Sequence, residues 1–235
     1  PSTTSEFKSH GGAGPPYFWP LFTISCSSSV SKLLSCFLLV SLSISAQRVT
    51  VSPPVLVAPE GAREGVSWNP RTQTLYMVSG GNVNEYHPGQ PGAKVEPFRT
   101  DAPGANGSLV DAEGRVVVCE AGARRVTRTE KDGSLTVLAA NFEGHRFNSP
   151  NDLTIDAQGR IYFTDPRYGQ DMKIDQPCMG VYYIDAAGKT TRVIDNRERP
   201  NGVLVTSDHK TLLVAEPNKR ELWSYPISGP GQLGA

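Results

Sequence analysis

Four short phrases in the chain place an oxygen-bearing side chain just before an apolar, strand-like run. They lie 42, 45 and 50 residues apart and read Arg63-Glu64-Gly65, Ala105-Asn106-Gly107, Pro150-Asn151-Asp152 and Pro200-Asn201-Gly202. One carboxylate and three amide carbonyls brought together would form an all-oxygen site, which suits a hard cation such as Ca²⁺ or Mg²⁺. Taken singly, each Asn has a simpler interpretation as a turn residue. Glu64 at the matching position weakens that interpretation, because Glu is a poor turn residue.

Each phrase begins a similar series of strand-like runs and turns. In the second copy the runs predict strands over residues 108–112, 115–120, 124–129 and 134–139, and the third copy repeats its first half almost letter for letter. A period of 40 to 50 residues in a strand-rich sequence is typical of propeller blades, which bury their faces only against their neighbours. The sequence therefore predicts an all-β fold, a β-propeller, with the four polar residues on one rim of its central channel.

The other copies vary this plan. The first spans about residues 64–99, and the third contains a long excursion from Pro166 to Gly180. The fourth begins at Asn201, and its last residues, 229–235, are rich in Gly and are not expected to form a fourth strand. Since propellers generally have at least four complete blades, we predict an incomplete propeller of about four blades, with residues 47–235 as the N-terminal part of a domain truncated at its C-terminus.

Residues 1–46 differ from the rest and predict a leader. A short apolar run, Leu33–Ala46, follows Lys32, and small residues near Ala46 suit cleavage by a signal peptidase. The signal peptide is predicted over about residues 30–46. Because no Met precedes Met77, residues 1–29 are interpreted as lying upstream of a true start at Val30. The run is shorter than the roughly 20 apolar residues of a membrane span, so we expect a secreted or periplasmic protein without a permanent membrane anchor.

The composition and the placement of charges argue against a nucleic-acid partner. The chain has 23 basic and 23 acidic residues, and its basic residues are scattered apart from isolated pairs such as Arg124-Arg125. Without a basic stripe to neutralise phosphates, a nucleic-acid partner is not expected, and no protein partner is evident. Of the cysteines outside the leader, Cys119 and Cys178 are expected to be separate small apolar side chains rather than a disulfide.

Longer motifs make the chain resemble the gluconolactonase family, which includes regucalcin and other senescence-marker-like lactonases. The motifs are Glu64-Gly65-Val66-Ser67-Trp68, Asn148-Ser149-Pro150-Asn151-Asp152-Leu153, Tyr162-Phe163-Thr164-Asp165-Pro166-Arg167-Tyr168-Gly169 and Arg199-Pro200-Asn201-Gly202, within about residues 58–228. The resemblance implies a six-bladed propeller with one divalent cation on its axis, usually Ca²⁺ or Zn²⁺. It also implies an enzyme that hydrolyses a sugar lactone to the aldonic acid.

The resemblance also implies roles for individual residues. Glu64, Asn151 and Asn201 would ligate the cation, and Asn106 would contact the substrate or serve as an outer ligand. The family's catalytic base is an Asp on a later blade, which would lie beyond Ala235, so the catalytic residue is not identified and this chain by itself is expected to be inactive.

Further residues near the third phrase are weaker candidates. His145 and Arg146 are predicted to contact a substrate hydroxyl or ring oxygen, with a solvated loop pair as the alternative. Asp152 is predicted to support the ligand Asn151 through hydrogen bonds to neighbouring backbone amides. Asp165 and Glu216 end second strands and are expected to accept hydrogen bonds from turns.

Two other functions fit the same residues. Related proteins on this scaffold hydrolyse organophosphates or other lactones, and the visible residues do not separate those substrates. A non-catalytic propeller would bind a protein or glycan on the rim, but Glu64 counts against it because such a protein needs no acidic ligand on the axis. No Gly-x-Ser-x-Gly motif occurs, so a serine hydrolase has little support.

Overall fold

The computed structural model describes residues 53–57, 61–168 and 174–234. The predicted leader and its proposed start at Val30 lie outside the described residues. Regular structure in the described part consists of β-strands, arranged as four four-stranded antiparallel sheets and one two-stranded sheet. We call the four larger sheets blades 1 to 4, in chain order.

Each blade follows the chain from its first strand to its fourth, so neighbouring strands pair in sequence order. Blade 1 contains β1 (Glu64–Asn69), β2 (Thr74–Ser79), β3 (Asn82–Tyr86) and β4 (Glu96–Arg99). Blade 2 contains β5 (Ala105–Val110), β6 (Val116–Glu120), β7 (Arg125–Thr129) and β8 (Leu135–Ala139). The two-stranded sheet follows, with β9 (Asn141–Phe142) and β10 (His145–Arg146).

The remaining blades have the same order. Blade 3 contains β11 (Leu153–Ile155), β12 (Ile161–Asp165), β13 (Gly180–Ile184) and β14 (Thr190–Ile194). Its long excursion between β12 and β13 lies where the sequence predicts it. Blade 4 contains β15 (Val203–Val205), β16 (Thr211–Glu216), β17 (Glu221–Gly229) and β18 (Gln232–Leu233).

One expectation about blade 4 is wrong: its last residues do form a fourth strand. Ile227 of β17 pairs with Leu233 of β18, and Gly229 pairs with Gln232. The Gly-rich composition makes a hairpin here instead of ending the blade, because Gly231 adopts a positive φ of 63° that a tight turn needs.

The first strands of the blades lie around a common axis. β1 contacts β5, β5 contacts β11, and β11 contacts β15, so each blade meets the next along its first strand. This arrangement confirms the predicted propeller architecture, with four blades in the described residues.

The core is a series of layers between blades. Successive residues of a strand point to opposite faces of the sheet, and β12 shows the result: Phe163 packs toward blade 2, whereas Tyr162 packs toward blade 4. In blade 2, Val118 packs against blade 1 and Cys119 against blade 3. Burying a large apolar side chain stabilises the fold by roughly 1.5–3 kcal/mol, so the stacking of blades holds their first strands in register.

Two smaller expectations concern cysteines and membranes. Cys119 is buried, Cys178 is partly buried, and both are free, as predicted. In the residues that the structure describes, no helix has the length and apolar character needed to cross a membrane.

Candidate functional site

The four polar residues of the repeated phrases meet in one pocket on the rim of the propeller. The pocket has a volume of about 610 Å³. Its lining consists of Glu64, Asn106, Asn151, Tyr168, Asn201, Pro217 and Asn218. The repeat therefore brings together one side chain from each blade, as the sequence predicts, while the role of each as a ligand stays a prediction.

The four residues reach the pocket in two ways. In blades 3 and 4, Asn151 and Asn201 stand two residues before the first strand. In blades 1 and 2 the first strand begins earlier, and Glu64 and Asn106 belong to it. The strand pairing shifts register between Glu64 and Ser67 in blade 1 and between Ala105 and Ser108 in blade 2, and such bulges re-aim side chains at strand ends.

Hydrogen bonds between blades fix the spacing of the site residues. The N–H of Gly107 in blade 2 donates to the carbonyl of Asn151 in blade 3 at 2.7 Å. The Thr164 hydroxyl in blade 3 donates to the carbonyl of Asn201 in blade 4 at 2.6 Å. Between blades 1 and 2, the Ser108 hydroxyl donates to the carbonyl of Gly65. The pocket is therefore tied together at its backbone, and its side chains project from a connected rim.

Asp152 supports this rim from beside Asn151. Its Oδ2 accepts a hydrogen bond from the N–H of Val203 in blade 4 at 3.2 Å, and it does not belong to the pocket lining. Burial raises the pKa of Asp152, and the nearby carboxylate of Glu64 raises it further, against the lowering effect of backbone hydrogen bonds. Its backbone contacts match the predicted kind, although its support of a metal ligand stays a prediction.

Buried carboxylates hold the loops that lead to Asn151 and Asn201. Both oxygens of Asp165 accept backbone N–H groups, from Asn148 and from Ser149, each at 2.7 Å. In blade 4, Oε1 of Glu216 accepts the N–H groups of Glu198 at 2.7 Å and Arg199 at 2.9 Å. These two residues therefore act as turn acceptors, as the sequence predicts, and each fixes the approach to a pocket asparagine.

The same contacts leave the two carboxyl groups with different acidities. Burial raises the pKa of Asp165 to about 7, even though the N–H groups of Asn148 and Ser149 and nearby guanidinium groups act to lower it. Burial also acts to raise the pKa of Glu216, but the hydrogen bonds from Arg199 and Glu198 outweigh it, so that pKa is lowered. Asp165 therefore carries a neutral carboxyl over much of the acidic range.

We expect Asp165→Asn to change how stability depends on pH. The pKa of Asp165 is raised from 3.8 to about 7 in the native state, so its contribution is fully present below pH 3.8 and is lost as the pH rises through 7. Between pH 5 and pH 8, the free energy of unfolding of the wild type should fall by roughly 2 kcal/mol relative to the variant.

Urea unfolding of both proteins at pH 5 and pH 8 measures this difference. Glu216→Gln is the matched control. Because the pKa of Glu216 is lowered in the native state, its stabilising contribution is lost only as the pH falls into the acidic range, below the pH interval of this experiment. Parallel pH profiles for the wild type and Asp165→Asn would show that the buried carboxyl titrates with an ordinary pKa.

His145 and Arg146 do not line the pocket. They form β10, whose partner is β9, and both side chains are exposed. The buried amide of Gln176 donates to the carbonyls of both residues, at 2.8 Å and 3.3 Å, and Arg146 donates to the carbonyl of Ala123 at 3.0 Å. Their predicted contact with substrate stays a prediction that the pocket geometry does not support.

Three lining residues were not singled out as site residues from the sequence: Tyr168, Pro217 and Asn218. Tyr168 lies just after β12, within one of the motifs quoted above. Pro217 and Asn218 follow β16 in a turn, at a place that corresponds to the end of the second strand in every blade. The signal that could have found them is this position, because turns after second strands reach the same rim as the repeated phrases.

The described side chains that line the pocket offer oxygen atoms as possible metal ligands and no imidazole nitrogen or thiol sulfur. Among the described residues, no group of three or more His, Cys, Asp or Glu side chains is arranged to hold a metal ion. The pocket instead offers the carboxylate of Glu64 and four carboxamides, of which that of Asn151 belongs to a residue only 7% exposed. Carboxylate and amide oxygens are ligands that Ca²⁺ and Mg²⁺ accept.

Comparison with protein families identifies one match over most of the chain. Residues 62–235 match the model of the SMP-30/gluconolactonase/LRE-like region. A gluconolactonase of Zymomonas mobilis is 31% identical over 138 residues, which are 55% of this chain and 38% of that protein. The lactonase drp35 of Staphylococcus epidermidis is 28% identical over 193 residues, which are 79% of this chain and 57% of that protein. The chain thus spans about half the length, or less, of these relatives.

Solved structures give the same result for the fold. A gluconolactonase structure from Xanthomonas campestris matches with a TM-score of 0.66 and 30% identity, over 74% of this chain and 62% of that chain. A structure of regucalcin from Agrobacterium tumefaciens, described as a calcium-binding protein, matches with a TM-score of 0.57. It is 17% identical over 76% of this chain and 58% of that chain, so it bears on the fold alone.

Proposed function

Because the chain belongs to the SMP-30/gluconolactonase/LRE-like family, we propose that the protein hydrolyses a lactone, opening the ring to a hydroxy acid, in the pocket lined by Glu64 and four asparagines. The observation that carries this proposal is the convergence of one polar side chain from each of four blades on that pocket. The gluconolactonase and lactonase activities in the names of the relatives support the reaction class.

We further propose that one divalent cation occupies this pocket, with Glu64, Asn151 and Asn201 as its ligands. The residues fit such an ion, since they supply only oxygen and a single negative charge. This chemistry favours Ca²⁺ first and Mg²⁺ second over Zn²⁺, which prefers nitrogen and sulfur ligands.

The reaction needs a polarised carbonyl and a substrate held in place. When bound, a divalent cation supplies Lewis acidity to the carbonyl oxygen of a lactone. Glu64 contributes the charge that retains the ion, and the buried Asn151 contributes a fixed dipole. Asn106 lines the same pocket without being needed as a ligand, so its carboxamide is free to hydrogen-bond the substrate. Preorganised dipoles of this kind stabilise charge that develops in the transition state.

The substrate class is proposed to be sugar lactones, whose several hydroxyl groups match the polar lining of the pocket. A secreted or periplasmic location is proposed from the leader sequence alone. The pocket would then take a small molecule from outside the cytoplasm, and mass spectrometry of the mature N-terminus would test the cleavage near Ala46.

A metal-dependence assay tests the function. The full-length protein is stripped with a chelator, reloaded with Ca²⁺, Mg²⁺ or Zn²⁺, and assayed by acid release from gluconolactone, an aliphatic lactone and an organophosphate ester. We expect lactone hydrolysis above the spontaneous rate that is lost on chelation and restored best by Ca²⁺. Hydrolysis of only the organophosphate would reassign the substrate, and absence of hydrolysis with every metal would contradict the proposal.

A further inference from the structure

The side chain of Asn201 is held by a tyrosine from the neighbouring blade. Its Nδ2 donates a hydrogen bond to the hydroxyl of Tyr168 at 2.7 Å. Tyr168 lies just after β12, at the start of the long excursion of blade 3, and both residues line the same pocket. The contact therefore joins two blades inside the candidate site.

A carboxamide can present either of two ends to a pocket, and only its oxygen can ligate a cation. Because Tyr168 engages Nδ2, the oxygen is left for another partner. Among the described residues, no hydrogen bond involves Oδ1 of Asn201. We infer that Tyr168 is a positioning residue that turns the carboxamide of Asn201 so that its oxygen serves the cation of the proposed function, on which this inference rests.

Other contacts hold Tyr168 and Asn201 in this arrangement. The guanidinium of Arg199 lies over the ring of Tyr168, 5.3 Å from its centroid, and this attraction restrains an aromatic ring that is 39% exposed. The backbone of Arg199 is itself held by Glu216. The main-chain carbonyl of Asn201 accepts from Thr164. Asn201 is thus fixed at its backbone and at its amide nitrogen, whereas its amide oxygen is engaged by none of the residues that the structure describes.

The test is the affinity for calcium, measured by titration calorimetry on the full-length protein. Tyr168→Phe removes the hydroxyl and keeps the ring. We expect it to weaken calcium binding by about 10-fold, since loss of a partner that orients a ligand typically lowers metal affinity 10- to 100-fold. Tyr225→Phe is the matched control, because the buried hydroxyl of Tyr225 has no hydrogen-bond partner in the described part of the chain. Its calcium affinity should stay within about twofold of the wild type.

Two further measurements separate positioning from a general loss of structure. Urea unfolding without calcium should give the same midpoint for Tyr168→Phe and the wild type. In an Asn201→Ala background, Tyr168→Phe should have no further effect on calcium affinity, because the residue through which it acts is gone.

The calcium titrations distinguish a failure of this inference from a failure of the proposed metal site. Calcium binding by the wild type that is unchanged in Tyr168→Phe would overturn the inference and leave the proposed function standing. An equal loss of affinity in Tyr168→Phe and Tyr225→Phe would also overturn it. A wild type that binds no divalent cation would overturn the proposed metal site and the inference with it.

Discussion

Replacing Glu64 with glutamine is expected to remove most of the affinity for calcium. Among the residues that the structure describes, Glu64 is the only carboxylate in the lining of the pocket. Glu64→Gln therefore keeps the size of the side chain and removes the negative charge that would balance the charge of the cation. We expect affinity to fall at least about 100-fold, beyond the usual effect of losing an outer partner. Lactone hydrolysis should fall in parallel.

Thermal unfolding in calcium reports this loss without an activity assay. At a calcium concentration of about 100 times the wild-type dissociation constant, the wild type should gain about 2.7 kcal/mol and Glu64→Gln only about 0.4 kcal/mol. Glu96→Gln is the control, since Glu96 is an exposed carboxylate of the same blade outside the pocket. Equal stabilisation of Glu64→Gln and Glu96→Gln by calcium would place the ion elsewhere.

Gly107→Ala is expected to destabilise the protein by about 3 kcal/mol, because a methyl group has no room between blades 2 and 3. A Cβ on Gly107 would lie 2.7 Å from Oδ1 of Asp152 and 2.8 Å from both the carbonyl oxygen of Asn151 and the Cα of Asp152. Two of these three neighbours are backbone atoms, which cannot rotate away. The change would therefore separate the blades next to two pocket residues.

Gly202→Ala is the matched control for this prediction. Gly202 follows Asn201 as Gly107 follows Asn106, but a Cβ there would meet the Cβ of Ala215 at 3.6 Å and Oδ2 of Asp152 at 3.9 Å. These are ordinary contacts, so we expect a change of less than about 1 kcal/mol. Urea unfolding of the two variants should differ by at least about 2 kcal/mol, and similar midpoints would contradict the packing shown between blades 2 and 3.

The repeat predicts the fold well because strands and hairpins depend mainly on residues that are close in sequence. Alternating side chains set the two faces of each blade, and Gly-containing turns such as Glu113-Gly114 set the hairpins, so the strands of blade 2 could be placed within one to three residues. The early start of β5 at Ala105 was missed because it depends on a bulge. Whether Gln232–Leu233 pairs with β17 depends on the partner strand, which composition does not reveal.

The sequence predicts the polar residues of the repeat that line the pocket, but it does not predict the side chains that hold them in place. Glu64, Asn106, Asn151 and Asn201 share a position in the repeat, and position in a repeat is visible in a sequence. Tyr168 reaches Asn201 across blades from an irregular segment, and no periodicity predicts such a contact.

Choosing site residues by their functional groups alone was less reliable than choosing them by their position in the repeat. His145 and Arg146 were chosen because they precede Asn151 and carry useful functional groups. The structure places them in a small hairpin held by Gln176, outside the pocket lining. Proximity to Asn151 in the sequence thus predicted less than an equivalent position in the repeat. Phe147, which follows Arg146, is buried in the core, while His145 and Arg146 are exposed.

A crystal structure of the full-length protein with calcium would show whether the polar rim binds one divalent cation. We expect an anomalous scattering peak in the pocket, with oxygen atoms of Glu64, Asn151 and Asn201 about 2.3–2.6 Å from the ion. A calcium ion bound only elsewhere, or a pocket free of the ion in crystals of a protein that hydrolyses lactones at the same calcium concentration, would contradict the proposed cation site.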